Sequence, residues 1–270
     1  MTVFSLLTFN CFGGANWTTP RRLRALAREL GQMAPEVVCL QEVQTHYAHR
    51  LLVHTCRSHP EHASVPSLYA PRGALLTLAR LPLSQTHFVP YETQGEWLGP
   101  TLMDRLTQKG MLLTHLHHAG IPIIVINTHL LANYWANWRP ESRPARQQQR
   151  QLQQLASLVR AQPSTALVLV AGDFNLPRSS WLYDDFLTHS GMSDLLTDDP
   201  RPTYRPFPGV PVRYALPIDF VFIRPPPDLR VQADADLCFN EKFAFADGRR
   251  GYLSDHLGVR VTLRWQVSTL

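Results

Sequence analysis

Polar side chains that can bind a metal ion or a phosphate group flank six short apolar runs of this chain. They are Asn10, Glu42, His129, Asp173, Asn175, Asp219, Asp255 and His256. Carboxylates that converge at one edge of a sheet leave buried charge uncompensated unless a cation neutralises them. Such oxygen ligands suit Mg²⁺, which keeps several waters and binds through one or two carboxylates. With the two histidines added, the set predicts metal-assisted attack of water on phosphorus.

The segments that must position these residues alternate between short strands and helices. The predicted strands cover residues 3–10, 35–42, 111–116, 121–127, 166–171, 217–223 and 257–263. A further hairpin is predicted from residues 67–69 and 74–81 around Pro71-Arg72-Gly73. Any single polar strand end is an ordinary exit from the core, so the prediction depends on all of them occurring together.

Three helices are predicted between these strands. The first begins with Thr19 as its N-cap and ends at Gly31, the second covers residues 45–54, and the longest covers residues 143–160. The arginines at positions 21, 22 and 24 are interpreted as a solvated helix start. Residues 82–110 show little periodicity and are predicted to form a long irregular loop.

The ordered motifs resemble those of one enzyme family. They are Thr8-Phe9-Asn10, Leu40-Gln41-Glu42, Asn127-Thr128-His129-Leu130, Gly172-Asp173-Phe174-Asn175, Ile218-Asp219-Phe220-Val221 and Ser254-Asp255-His256. In this order they resemble the endonuclease/exonuclease/phosphatase superfamily, which includes deoxyribonuclease I, abasic-site endonucleases, neutral sphingomyelinases and inositol-polyphosphate 5-phosphatases. The resemblance implies an α/β fold, a four-layered α/β sandwich in which two mixed β-sheets pack face to face with outer helices. Periodicity alone does not separate this fold from other α/β folds.

The resemblance also implies a metal site. Glu42 resembles the principal metal ligand, Asn10 supports the metal and phosphate site, and Asp255 is a second metal or water contact. The implied cofactor is Mg²⁺, with Mn²⁺ as the alternative. The sequence leaves open whether one metal ion or two take part.

The remaining motif residues resemble the family's catalytic group. Asp173 is expected to orient or deprotonate the attacking water, and Asn175 to hold that water or the phosphoryl oxygens. Asp219 resembles the carboxylate that orients His256. His129 and His256 are expected to donate hydrogen bonds to the non-bridging oxygens, and either is a candidate to protonate the leaving group. No acidic partner for His129 is identifiable in the sequence.

Substrate contacts are predicted between residues 129 and 146. Trp135, Trp138 and Arg146 are the candidate substrate-binding residues. In a nuclease such aromatics stack on bases and arginines contact phosphates, whereas in a lipid phosphodiesterase they enter the headgroup region. The alternative is that the tryptophans pack the loop onto the domain and the arginine is solvated.

Three functions are compatible with these features. The favoured one is Mg²⁺-dependent hydrolysis of a phosphodiester, with a sphingomyelinase-like phospholipid or a small phosphodiester as substrate. The second is a nuclease that cleaves DNA or RNA with the same site. The third, a non-catalytic binding module, is disfavoured because every expected catalytic position holds a competent residue.

Bulk properties limit the remaining possibilities. The 270 residues are expected to form one domain, 1–270, with a formal charge of +5 that favours peripheral contact with anionic surfaces. We expect a monomer. No apolar run approaches the ~20 residues of a membrane-spanning helix. The unpatterned cysteines and the lack of a recognisable signal peptide lead us to expect a cytoplasmic location.

Overall fold

The computed structural model describes residues 1–266. Its strands, in chain order, are β1 (Thr2–Asn10), β2 (Val37–Gln41), β3 (Glu61–Ala63), β4 (Leu76–Ala79), β5 (Leu83–Pro90), β6 (Gly110–His118), β7 (Ile121–His129), β8 (Leu167–Asp173), β9 (Ser193–Asp194), β10 (Asp219–Arg224), β11 (Val231–Cys238), β12 (Phe243–Ala244), β13 (Arg250–Gly251) and β14 (Gly258–Trp265). Its helices are α1 (Thr19–Met33), α2 (His46–Thr55), α3 (Leu102–Thr107), α4 (Arg143–Arg160) and α5 (Trp181–Ser190). No helix within the described residues has the length and apolarity needed to cross a bilayer.

Two six-stranded mixed sheets form the centre of the fold. The first has the order β11-β14-β1-β2-β4-β3, and the second has the order β5-β6-β7-β8-β10-β9. One parallel pair lies in each sheet, β1 with β2 and β7 with β8. Because parallel strands end at the same edge, these pairs bring the ends of four strands toward one side of the molecule.

Three apolar clusters separate four layers. Residues of both sheets, such as Leu6 and Val125, form the cluster between the sheets. The outer face of the first sheet packs on α1 and α2, with Leu26 and Leu52 among the buried residues. The outer face of the second sheet packs on α4 and α5. The predicted four-layered α/β sandwich is therefore confirmed.

Helix α4 shows how local sequence produces one of these layers. Its N-cap Ser142 accepts a hydrogen bond from the backbone N–H of Ala145 at 3.3 Å, and Pro144 lies in the first turn. The buried stripe includes Leu152, Leu155 and Val159 at helical spacing. The predicted bounds of this helix agree with the structure.

Helix α1 differs from its prediction at both ends. Thr18 is the N-cap and makes no side-chain capping bond, while the predicted cap Thr19 instead donates its hydroxyl to the Gly14 carbonyl at 2.6 Å. The helix continues past Gly31 to Met33, since a glycine inside a helix is tolerated at a cost of about 1 kcal/mol. Arg22 is buried against the neighbouring loops, so the expectation that it is solvated is wrong.

The predicted hairpin at residues 67–81 and the predicted irregular loop at residues 82–110 are also wrong. Residues 67–69 are not a strand; β4 pairs instead with β3, and Arg72–Ala74 forms a 3₁₀ turn rather than a hairpin turn. The predicted loop 82–110 contains the edge strand β5 and the short helix α3. Strand β5 escaped recognition because half of it is polar, as suits an edge whose outer side faces water.

Candidate active site

The polar strand ends lie at one edge of the sandwich, where both sheets contribute. In the second sheet, His129, Asp173 and Asp219 occupy directly paired positions on the adjacent strands β7, β8 and β10. In the first sheet, Asn10 ends β1 and Glu42 follows β2. The amide nitrogen Nδ2 of Asn10 donates to Glu42 Oε1 at 3.1 Å and to Asp173 Oδ2 at 3.0 Å. Asn10 therefore joins the carboxylates of the two sheets.

The backbone is strained where two of these side chains enter the site. Glu42 has φ of 57° and Asn175 has φ of 53°, both in the left-handed region that non-glycine residues rarely adopt. The Glu42 carbonyl accepts hydrogen bonds from the N–H groups of Gly13 and Gln44, each at 2.8 Å. The Asp173 carboxylate accepts the N–H of Asn175 at 2.9 Å. These bonds hold unfavourable conformations, as is common at functional sites.

Gly172 precedes the site on β8 and permits a close approach of two strands. Its φ is 157°, and a Cβ added there would lie 1.9 Å from the carbonyl oxygen of Thr128 on β7. No side chain fits that space. The glycine of the Gly-Asp-Phe-Asn motif thus allows His129 and Asp173 to sit side by side.

His256 forms a buried pair with Asp219. Nδ1 of His256 lies 2.9 Å from Asp219 Oδ2, and Nε2 lies 3.7 Å from Asp173 Oδ2. Burial disfavours the charged imidazole, but Asp219 and Asp173 outweigh it and raise the pKa of His256 well above its ordinary value. The hydrogen bond to Asp219 places the exchangeable nitrogen Nε2 toward the cleft.

Asp173 remains ionised in this setting. Burial acts against its charge, but His129 and His256, together with the amide of Asn10, hold the pKa of the Asp173 carboxyl far below its usual range. A carboxylate with so low a pKa is a weak base. It is better suited to orient a water molecule than to retain the water's proton.

His129 lacks the kind of support that His256 has. Its Nε2 is 3.0 Å from Asn175 Nδ2 and 3.3 Å from Asp173 Oδ2. Its Nδ1 is buried and has no hydrogen-bond partner within residues 1–266. The amide of Asn175 also donates to the Leu130 carbonyl at 3.1 Å, which fixes its orientation. The acid that contacts His129 is thus Asp173, at Nε2, a pairing that the sequence did not reveal.

Two carboxylates on the first-sheet side are candidate ligands for a divalent cation. Glu42 and Asp255 line the cleft half-buried, and neither forms an ion pair in the described part of the chain. Such hard, unpaired oxygen donors suit Mg²⁺. Asp173, Asp219 and His256 also place one ligand atom each within 4.8 Å of one another. Since Asp219 and His256 already bond to each other, this trio suits a metal less well than Glu42 and Asp255 do.

The site opens into a cleft of about 500 Å³. Its floor contains the residues described above, and its walls are mostly aromatic and apolar. The wall residues include Phe12, Pro100, Met103, Tyr134, Trp138, Tyr204, Phe207, Val210, Tyr214, Leu216 and Ile218. No arginine or lysine lines this cleft within residues 1–266.

The predicted substrate-binding residues are distributed unevenly. Trp138 lines the cleft, and its indole N–H donates to Gln148 Oε1 at 3.1 Å. Trp135 is 66% exposed and lies outside the cleft wall. Arg146 also lies outside it and donates its Nε–H to the Pro140 carbonyl at 3.0 Å. The structure thus brings only one of the three to the cleft.

Several residues around the site escaped the sequence analysis. Tyr204 packs on His256 with ring centroids 5.2 Å apart, and the hydroxyl of Thr203 accepts the N–H of Asp219 at 3.0 Å. Both lie in a proline-rich segment that carries no periodic signal. Asp104 lines the cleft and pairs with buried Lys109 at 3.1 Å. Asp104 was not singled out because polar residues are common in loops, and a loop was predicted for this region.

A buried polar cluster fixes the two sheets relative to each other beneath the site. Gln41 Nε2 donates to Asn127 Oδ1 at 2.8 Å, and Asn127 Nδ2 donates to the carbonyls of Leu40 and Leu76, each at 3.2 Å. Both side chains are fully buried. Each is an amide residue at the end of an apolar run. Gln41 directly precedes Glu42, and Asn127 lies two residues before His129.

Comparison with known proteins agrees with this geometry. The model of the Endonuclease/Exonuclease/phosphatase family matches residues 7–256. The chain belongs to this family. It is therefore a metal-dependent phosphoric ester hydrolase. A search of curated protein sequences finds no match.

Solved structures show the same fold at low sequence identity. SmcL superposes with a TM-score of 0.78 at 17% identity, covering 97% of this chain and 99% of that one. Beta toxin from Staphylococcus aureus, in a variant with bound magnesium ions, gives 0.77 at 16% identity, with 96% and 99% covered. TDP2 from D. rerio, complexed with a single strand DNA product, gives 0.75 at 20% identity, with 98% and 100% covered.

Proposed function

We propose that this chain is a Mg²⁺-dependent phosphodiesterase that acts on an amphiphilic phosphodiester, a sphingomyelinase-like phospholipid or a small relative of one. The observation that carries the substrate class is the mostly aromatic and apolar wall of the cleft, which within residues 1–266 includes no arginine or lysine, whereas Arg139 and Arg205 line the neighbouring grooves. Proteins that grip nucleic acid contact several phosphates with such residues. A cleft that holds one phosphoryl group between a metal site and apolar walls suits a single, isolated phosphodiester.

The mouth of the cleft supports the same substrate class. Three segments of the chain, one of which includes helix α3, carry exposed apolar side chains, and each segment also contributes to the cleft wall. These side chains, called the apolar rim below, are Trp97, Leu98, Met103, Leu106, Tyr134, Trp135, Phe207, Val210 and Val212. A group of this size is unusual on a soluble surface and marks an interaction site. Apolar chains of a lipid substrate would lie against it.

Mg²⁺ would be held by Glu42 and Asp255, with Asn10 orienting Glu42. When bound, it would neutralise charge on the phosphoryl oxygens and polarise the phosphorus. SmcL and TDP2 fit the same fold, and a beta toxin structure contains magnesium. These likenesses support the choice of metal as part of this proposal.

The chain's own residues would carry the reaction as follows. Asp173 orients a water molecule, and Asn175 and His129 contact the non-bridging oxygens. The water oxygen bonds to phosphorus, the bond to the leaving-group oxygen breaks, and the leaving group takes the proton of His256. Asp219 holds His256 in its charged form for that step. The proton of the attacking water leaves to solvent, since Asp173 is too weak a base to keep it.

A panel of three substrates tests the substrate class. Release of product from sphingomyelin vesicles, supercoiled plasmid and bis-p-nitrophenyl phosphate is measured with Mg²⁺, with EDTA, and with Mg²⁺ restored. We expect vesicle turnover and slower bis-p-nitrophenyl phosphate turnover, both abolished by EDTA. Plasmid nicking without lipid turnover would favour the nuclease instead. An Asp173→Ala preparation, purified identically, controls for contaminating nucleases.

The apolar rim can be tested separately with matched variants. Leu98→Ser and Val212→Ser remove rim side chains that are 87% and 83% exposed, whereas Leu68→Ser removes one outside the rim that is 76% exposed. We expect the rim variants to lower the vesicle rate several-fold more than the bis-p-nitrophenyl phosphate rate. Equal effects of all three variants on vesicles would remove the rim from the proposal.

A further inference from the structure

Arg22 is a buried cation without a carboxylate partner. Its side chain is 6% exposed and forms no ion pair within residues 1–266. It donates to the carbonyl oxygens of Cys11 at 3.0 Å, Phe12 at 2.6 Å and Leu253 at 2.6 Å. Burying an unpaired guanidinium is costly, so its position calls for a compensating gain.

Arg205 bonds the same chain segment. Its Nη1 donates to the Ser254 carbonyl at 3.1 Å, and its backbone N–H donates to the Asp255 carbonyl at 2.7 Å. Its guanidinium stacks on Tyr252 at 3.8 Å from the ring centroid. It too forms no ion pair in the described part of the chain.

The two guanidiniums thus hold the consecutive carbonyls of Leu253 and Ser254, directly before Asp255 and His256. We propose that Arg22 and Arg205 are positioning residues that together fix this segment, and with it His256, against the end of β1. Arg22 is the only one of the two that reaches both sides, because Cys11 and Phe12 follow Asn10 at the end of that strand.

Arginine is required here for a geometric reason. Nη1 of Arg22 bonds the carbonyls of both Cys11 and Leu253, and Nη2, held beside it in the planar fork of the guanidinium, bonds the carbonyl of Phe12. A lysine keeps the charge but has one nitrogen and no such fork, so it cannot reproduce all three bonds. Asp255 attracts both guanidiniums and Glu42 attracts that of Arg22, which offsets part of the cost of burying them.

The expected consequence is a loss of turnover without a loss of substrate binding. Displacement of His256 by about 1 Å is enough to lower a rate about 100-fold. Most of the cleft wall lies on other segments and stays in place, the exceptions being Phe12, whose carbonyl Arg22 bonds, and Tyr204, which precedes Arg205. Arg22→Lys and Arg205→Lys should therefore each lower kcat about 10- to 100-fold and change KM much less.

The test compares these variants with matched arginine-to-lysine controls. Arg24→Lys changes an exposed arginine half a turn along the same helix, and Arg201→Lys changes an arginine that bonds Asp199 and Asp236. For each, kcat and KM are measured with bis-p-nitrophenyl phosphate at saturating Mg²⁺. Hydrogen–deuterium exchange of residues 251–258 gives a second readout that requires no turnover.

We expect faster exchange of residues 251–258 and lower kcat in both positioning variants, and neither change in the controls. In the double variant the loss of kcat should be smaller than the product of the single losses, because both arginines act through one segment. Unchanged exchange and kcat in Arg22→Lys and Arg205→Lys would overturn the proposal. Multiplicative losses, or a rise in KM equal to the fall in kcat, would also overturn it.

Discussion

Replacement of Asp219 by asparagine removes one negative charge beneath His256 and keeps the size of the side chain. Asp219 is fully buried, and its Oδ2 lies 2.9 Å from His256 Nδ1. Asparagine can still accept a hydrogen bond there, but it no longer stabilises the charged imidazole. The variant therefore isolates the electrostatic part of the pair.

The distance sets the size of the effect. Two unit charges 2.9 Å apart attract each other by about 6 kcal/mol at an effective dielectric constant of about 20. If relaxation and the remaining hydrogen bond recover about half of that, about 3 kcal/mol of stabilisation of charged His256 is lost, or about 100-fold in rate. The free energy of unfolding should change less, because a buried charge with one unpartnered oxygen is also removed.

The pH dependence of the activity should reveal in which direction the pKa of His256 shifts. Because Asp219 and Asp173 raise the pKa of His256, the wild-type histidine keeps its proton to a higher pH than a free histidine does. Activity that needs this proton should fall as the pH rises through the raised pKa. In Asp219→Asn the pKa of His256 drops, so this fall should move to lower pH.

The assay is kcat/KM for bis-p-nitrophenyl phosphate between about pH 5 and pH 10 at saturating Mg²⁺, with a thermal melt at each pH. Asp194→Asn is the matched control, since Asp194 is buried and bonds Arg178 Nε at 2.6 Å away from the cleft. That control should lower stability and leave kcat unchanged. An Asp219→Asn enzyme within about threefold of the wild-type rate, with an unmoved alkaline limb, would refute the reasoning.

Three further outcomes are expected. Glu42→Gln should raise the Mg²⁺ concentration for half-maximal activity at least about 10-fold in a metal titration, because an unpaired carboxylate ligand becomes neutral; an unchanged titration curve would exclude Glu42 as a ligand. Asn127→Ala should lower the free energy of unfolding in urea by about 2–3 kcal/mol, since buried Gln41 Nε2 loses one of its acceptors and the carbonyls of Leu40 and Leu76 lose a donor. Gly172→Ala should be more damaging than either, because its Cβ would meet the Thr128 carbonyl, and a soluble, fully active Gly172→Ala protein would contradict the strand geometry.

The sequence by itself determined many of the strands and helices, whereas the four-layered arrangement was predicted only through the resemblance of its ordered motifs to a family. Strands such as β1 and β7 are long apolar runs, and helix α4 has its own cap and apolar stripe, so local signals suffice. The ordered motifs predicted that Asn10, Glu42 and His129 meet at one edge, and the structure shows that the first two come from the parallel strands β1 and β2 and the third from β7 of the other sheet.

Local sequence patterns did not predict the edge strands. β5 and β11 mix polar and apolar residues, because each is the outermost strand of its sheet and pairs with a neighbouring strand along one edge only. Their strand conformation depends on pairing with β6 and β14, which is settled only when the sheets assemble. The same holds for β3, whose three residues pair with β4.

Only the tertiary structure decided which arginines are buried and which side chains form the cleft. In the sequence Arg22 and Arg24 look alike, yet Arg22 bonds the Leu253 carbonyl 231 positions away while Arg24 faces water. Likewise, nothing local keeps Arg146 out of the cleft and brings Tyr204 into it. The reason is physical: these environments are created by contacts between distant segments, and a side chain's own neighbours in the chain do not record them.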